Sequence, residues 1–437
     1  MRPPFNRLFL ALAAVALMAL APLACGSDST PTPAPKPKVT VWLFRNFVQP
    51  GNDLLEKQVR DWAAKNNVDV TLDWTGFADH RTRMAQAVAS GNPPDIAEVD
   101  PTGPIRFNAN LVDISDLEQE VARANGGLLP NVEAYIKHEG RYYGVPHYAL
   151  QTVLFVRKDL MDAKKLQMPK TWQDVVDVSK AVQDPANKLY GFGQTVKPSI
   201  DGQLFMNSLL WEYGGGVFDA QGNAALDSDK NRQALQFAAD LVAKSGVVPP
   251  DVMTWDDSGN NNSYLNGQSA ATVNGGSLYY ALQTSQDPKA KEILKSTVLA
   301  PPPSGPAGLA TMANPYSFVV FKQTKNVALA KDLIRTIEQK QNYSDYLRAE
   351  AGQTAPVYEN HFKDPFWDTD PNLRAFHQEV RNAKPLGYPG PVSVVAVEVE
   401  GRNLLTELAT SVVTGAATVD QALKSGQATV QSITGKR

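Results

Sequence analysis

Between Val39 and Val99 the chain switches back and forth between two hydrophobic periods, and few architectures accommodate that order. Val39-Thr-Val-Trp-Leu43 alternates apolar and polar positions with β-branched enrichment, the pattern of a half-buried strand. Leu54 to Ala64 instead places Leu54, Leu55, Val59, Trp62 and Ala63 on one helical face. Val68 to Trp74 alternates again. Arg81 to Ala89 reads as a helix stopped by Gly91 and Pro93-Pro94, and Asp95 to Val99 forms a third strand. A β-α-β-α-β order with short connections predicts an α/β fold, an open parallel sheet covered by helices.

The same vocabulary recurs further on. Tyr143-Gly-Val-Pro146 leads into a strand over Gln151 to Val156, and Thr171 with Asp174 forms a capping box at a helix start. Asn231 to Lys244 is amphipathic and ends at Gly246, and Ser269 to Val273 is a small-residue strand running into Asn274-Gly275-Gly276. Ser317 to Phe321 forms a late strand, Asn326 caps the helix that follows, Gly415 closes a long helix, and Thr418 with Gln421 caps the last. No fixed-period repeat is present, which argues against solenoids and propellers.

The N-terminus is an export signal. Arg2 and Arg7 precede an apolar run from Leu8 to Leu20, shorter than the roughly 20 residues a spanning helix requires. The run ends in Ala21-Pro22-Leu23-Ala24-Cys25, and Cys25 is the single cysteine of the chain. This arrangement resembles a lipobox, which implies acylation of Cys25; an ordinary signal with an incidental cysteine is the other reading. Residues 26–38 are Ser/Thr/Pro-rich and extended, as a tether between a lipid and a folded body must be. The expected divisions are a signal peptide over 1–24 and a lipid-anchored linker over 25–38. A net charge of −3 lacks the basic footprint of a nucleic-acid binder.

Several stretches, in order, resemble family 1 extracellular solute-binding proteins, the maltose-binding type of ABC-importer receptor. They are Ser90-Gly-Asn-Pro-Pro-Asp-Ile96, Tyr143-Gly-Val-Pro146 with Leu154-Phe-Val-Arg-Lys-Asp159, Pro169-Lys-Thr-Trp-Gln-Asp174, Leu265-Asn-Gly-Gln-Ser-Ala-Ala271, Ala328 to Glu338, and Val413-Thr-Gly415 with Ala422-Leu423. The resemblance implies a two-lobed periplasmic-binding-protein-like fold of type II, each lobe a sheet flanked by helices. Residues 39–147 and 315–355 are expected in the N-terminal lobe, and 148–314 and 356–437 in the C-terminal lobe. It implies a monomeric sugar receptor exported to the outer face of the cytoplasmic membrane, working with ABC permease subunits and a separate ATPase. Neutral mono- or oligosaccharides, uronic-acid sugars and glycerophosphates all fall within that expectation.

In open α/β sheets the ligand lies beyond the carboxyl ends of the strands. That rule selects Arg45 and Phe47 after the first strand, Asp100 after the third, and Asn274 and Gly275 after the Ala270–Val273 strand. The crossovers add Tyr148, Gln151 and Tyr316. Trp211 and Trp255 complete the set, because a sugar offers an apolar face to aromatic rings and a hydroxyl rim to amides, carboxylates and guanidinium groups. Trp211 also fits a helix packing its ring inward. Arg45 could hold a hydroxyl pair, clamp an anion, or lie outside the cleft.

A secreted glycoside hydrolase needs two carboxylates flanking the scissile bond. Asp256 and Asp257 are adjacent and, if extended, point opposite ways. There is no Gly-x-Ser-x-Gly elbow and no phosphate loop, and the five histidines fall at no metal-ligand spacing. No catalytic residue, metal or cofactor is therefore expected. A surface adhesin would share the anchor but would have no use for a closing cleft.

Overall fold

The computed structural model describes residues 35–435, so the expected export segment, Cys25 and most of the expected tether lie outside the described residues. Twelve strands follow in chain order: β1 (Lys38–Phe44), β2 (Asp69–Thr75), β3 (Ile96–Val99), β4 (Lys137–His138), β5 (Arg141–Tyr142), β6 (Val145–Leu150), β7 (Thr152–Arg157), β8 (Tyr190–Phe192), β9 (Ser269–Gly275), β10 (Thr297–Ala300), β11 (Asn314–Val320) and β12 (Thr354–Ala355). Six build one sheet in the order β12-β6-β11-β3-β1-β2, and four build a second in the order β10-β7-β9-β8. Helices flank both sheets, giving two α/β lobes.

The first lobe begins as the sequence predicts, with β1 parallel to both β2 and β3. Its other half is antiparallel, because β11 returns from the second lobe to pair with β3 on one side and β6 on the other. The helix Gln49–Lys65 buries Leu55, Val59, Trp62 and Ala63 and packs on the helices Val327–Ile337 and Lys340–Ala349. It starts earlier than its apolar face suggests, since Pro50 in the first turn is already set for helical φ.

The crossover differs from the sequence reading. Two strands, β6 and β7, stand where one was expected, and they belong to different sheets with only Gln151 between them. β6 is buried along nearly its whole length, so it carries no alternation to read. Tyr148, Ala149 and Leu150, expected in the second lobe, pair in the first: Tyr148 lies opposite Tyr316, and Leu150 opposite Asn314 and Thr354.

In the second lobe the Thr171 capping box is complete: Thr171 Oγ1 accepts from the Asp174 amide at 3.1 Å and Asp174 accepts from the Thr171 amide at 2.9 Å. Thr418 and Gln421 repeat it. Asn326 is a correction: it stands at the helix start, but its side chain caps nothing and donates instead to the Lys38 carbonyl at 3.0 Å. Trp172, Phe192, Phe205 and Leu209 anchor the second lobe's core. Among the described residues no helix is long and apolar enough to cross a membrane.

The lobes meet closely at Gly276, the first residue of a helix in the second lobe. A Cβ there would sit 2.3 Å from the Gly352 carbonyl oxygen and 2.5 Å from the Gln353 Cα, both backbone atoms of the first lobe's return segment. Gly276→Ala is expected to cost about 1–3 kcal/mol by overpacking, read as a lowered denaturation midpoint with unchanged m-value. A neutral result would show that the two segments separate freely.

Candidate functional site

The cleft between the sheets holds two adjoining chambers, of about 700 Å³ and about 1000 Å³ including their open mouths. Strand ends supply the floor of the first: Leu150, Gln151 and Thr152 at the crossover, Asn274, Gly275 and Gly276 after β9, and Asn314 and Tyr316 on β11. Ile200, Asp201, Leu204, Asp257 and Asn261 form its second-lobe wall, and Phe47 and Gln353 its first-lobe rim.

Gln151 is the most informative side chain here. It is 2% exposed, yet among the described residues neither its amide oxygen nor its amide nitrogen has a hydrogen-bond partner. A buried amide left unmatched costs about 1–3 kcal/mol, a cost that a cleft ligand with hydroxyls removes. Asn274, also buried, spends its nitrogen on Asn261 at 2.6 Å, and its oxygen accepts from the Gly275 amide. Tyr316 stacks on Tyr148 with ring centroids 5.2 Å apart and meets Phe44 edge-on at 5.0 Å.

The second-lobe wall is built around one helix start. Ser199 caps the helix Ile200–Glu212, accepting from the Gly202 amide at 2.9 Å. Asp257 accepts from the Asp201 amide at 3.0 Å, and Asp201 accepts from Asn260 at 2.7 Å, so the 256–260 loop is tied to that helix end. Burial, then the charge of Asp257, push the Asp201 carboxyl up to about 7.

In the second chamber Arg81 donates through Nε to Asp100 at 2.7 Å. Burial alone would raise the Asp100 carboxyl, but Arg81, Arg106 and the Thr102 hydroxyl outweigh it and hold Asp100 well below the usual range. Glu400, opposite, is pushed up to about 7 by burial, offset in part by Arg81.

Six of the ten residues selected from sequence line these chambers: Phe47, Gln151, Asn274, Gly275 and Tyr316 the first, and Asp100 the second, with Tyr316 shared. Four do not. Arg45 is exposed and stacks over Trp74 at 5.4 Å, because β1 ends at Phe44 and the chain leaving it turns Arg45 outward and Asn46 inward. Tyr148 is fully buried beneath Tyr316 as its support. Trp211 packs against Tyr388 in the second lobe's core, the inward reading of its helix. Trp255 is half-buried against the same core, its ring beside Gly259 and Gly193.

Arg81, Asp201, Asn314, Gln353 and Glu400 were not selected. Arg81 and Glu400 lie on helices, where a rule about strand ends does not look. For Asp201 a signal existed, since Ser199-Ile-Asp201-Gly is a helix start carrying an acid in its first turn. Among the described residues no three His, Cys, Asp or Glu side chains gather as metal ligands.

The family described as bacterial extracellular solute-binding protein matches residues 49–353. The Escherichia coli (strain K12) protein YcjN is 22% identical over 385 residues, 83% of this chain and 85% of the relative. The arabinooligosaccharide-binding protein of Halalkalibacterium halodurans is 26% identical over 216 residues, 46% of each chain. Among solved structures, maltose-bound MalE3 of T. maritima superposes with a TM-score of 0.78 at 22% identity, covering 90% of this chain and 99% of that one. The two lobes, the cleft and the extent of the family match lead to one conclusion: this chain belongs to the bacterial extracellular solute-binding proteins.

Proposed function

We propose that this protein is the extracytoplasmic receptor of an ABC importer, capturing a neutral sugar between its lobes and releasing it to a permease pair served by a separate ATPase. The observation that carries the reading is Gln151, whose buried amide has both ends unmatched at the cleft floor. Tyr316 offers ring area beside it, and Asp201, Asp257, Asn274 and Asn314 offer directed acceptors and donors. The arabinooligosaccharide-binding relative and the maltose-bound neighbour support a sugar. Closure turns on Gln151, on the segment between β10 and β11, and on the chain beyond β12. Cys25 carries the lipid that tethers the monomer to the outer face of the membrane.

An anionic ligand fits less well. Among the described residues the one cation lining the chambers is Arg81, already paired with Asp100, while the carboxyl groups of Asp201, Asp257 and Glu400 offer an anion no positive partner. Arg45, the residue that favoured an anion, stacks on Trp74 outside both chambers. Catalysis is also disfavoured, because Asp201 and Asp257 share one wall of the cleft and are bonded through the Asp201 amide, instead of flanking a bond from two sides.

Thermal unfolding against neutral sugars, uronic acids and glycerophosphates tests the assignment. A neutral sugar at 100 times its dissociation constant is expected to add about 2.7 kcal/mol and to be recovered intact. A shift with anions alone, or a cleaved sugar, contradicts it. Gln151→Leu is expected to act in opposite senses, stabilising the free protein by about 1 kcal/mol while weakening the sugar about tenfold or more. Asp201 makes a third test. Its carboxyl sits near 7 in the fold against an ordinary 3.8, so the folded chain holds a proton that the unfolded chain has released. Its contribution is fully present below about pH 4 and is lost as pH rises through 7. Wild-type stability should therefore fall relative to Asp201→Asn across that window; parallel pH profiles would contradict the assignment.

A further inference from the structure

We infer that a single buried water binds inside the second lobe, held by Gln194, Glu212 and Thr311, and fastens the segment returning to the first lobe behind the ligand wall. The site is a cavity of about 20 Å³, above the roughly 10–15 Å³ that one water requires. Trp172 and Phe205 form its apolar side. Thr152, Asp201 and Leu204 line both this cavity and the first chamber, so it lies directly behind the cleft.

Three polar atoms of the lining residues have no partner among the described residues: Gln194 Oε1, Glu212 Oε1 and Thr311 Oγ1. Their residues are 1%, 1% and 3% exposed, so bulk solvent does not serve them. The other ends of two are already fixed. Glu212 accepts through Oε2 from the Trp172 indole at 2.6 Å, and Gln194 donates through its amide nitrogen to the Thr195 carbonyl at 3.2 Å. The Thr311 backbone is held as well, its carbonyl accepting from the Lys384 amide at 2.7 Å. Side chains tied in this way are not free to turn toward other partners. Buried polar atoms are costly unless hydrogen-bonded, and a water bridging about three of them meets that demand.

The count of donors and acceptors fits one water in either state of the acid. With Glu212 ionised, the water donates to Glu212 Oε1 and Gln194 Oε1 and accepts from the Thr311 hydroxyl. Burial favours the neutral acid, raising this carboxyl to about 8, and the water then accepts from Glu212 and donates to Gln194 and Thr311. A calcium ion takes about six to eight oxygen ligands, more than these unmatched atoms supply. Gln194 lies just past β8, Glu212 ends the helix Ile200–Glu212, and Thr311 lies on the return toward β11. One water therefore joins the helix of the ligand wall to a segment on which closure turns.

The test is a high-resolution crystal structure of the protein, as wild type and as two variants. One water within about 2.7–3.2 Å of Gln194 Oε1, Glu212 Oε1 and Thr311 Oγ1 is expected. Thr311→Val should lose it. Glu212→Gln should keep it, because the amide accepts from Trp172 and donates to the water. Loss of the water in Glu212→Gln would mark a cation held by the carboxylate, and its full retention in Thr311→Val a site without Thr311; either overturns the assignment. So does a wild-type Glu212 bonded directly to Gln194 with no water between them. The wild-type crystal decides the question even where a variant fails to fold. It requires no ligand, so its outcome is independent of the sugar assignment.

Discussion

Gln151 is the whole of the connection between a strand that ends in one sheet and a strand that begins in the other. So short a link leaves the two lobes little choice of relative position and draws the ends of their strands to one seam. Register then decides which side chains meet there. Leu150 lies opposite Asn314 and Thr354, and Thr152 opposite Gly275. The cleft floor is thus the set of pairing partners of a single crossing. Gln151 itself, buried with an unmatched amide, is an interaction withheld from the free protein and available to a ligand.

The floor stays in place because of what lies beneath it. Tyr148, between Tyr316 and Tyr346, forms a stack of three rings with successive centroids 5.2 and 5.9 Å apart. His147 and Glu338, both without exposure, meet at 2.6 Å; burial lowers the histidine to about 3 and raises the carboxyl, favouring the uncharged form of each. Glu98, raised by burial to about 7, accepts from the Phe44 amide, and Asn46 donates to Tyr346 at 2.9 Å. Polar groups this deep are stable only while paired, so each specifies one arrangement of the strands that carry it. The second-lobe wall is lighter, a helix start and a loop joined through Asp201, Asp257 and Asn260.

Legibility followed periodicity. Elements with one solvated face, such as β1, β2 and the helix Gln49–Lys65, announced themselves through alternation or a helical stripe. β6 did not, because burial on both faces removes the alternation, and its loss displaced the expected crossover by three residues. The strand-end rule selected Phe47, Asp100, Asn274 and Gly275, and the crossover reading Gln151 and Tyr316, all of which line the chambers because the sheets position them. The strand-end rule failed where position depends on a side chain's direction: of the residues just after β1, Arg45 turns outward and lines neither chamber, whereas Phe47 reaches the rim. Trp211 and Trp255 were chosen for chemistry suited to a sugar, yet large rings serve a core equally well, and packing claimed both. Arg81 and Glu400 reach the cleft from helices, a placement that only the folded arrangement reveals.

The most direct test is a crystal structure of the protein with a bound sugar, read at the Gln151 side chain. The account predicts sugar hydroxyls within about 2.7–3.2 Å of both the amide oxygen and the amide nitrogen, with Tyr316 against the ring. A sugar seated elsewhere, with the Gln151 amide still unmatched, would contradict it.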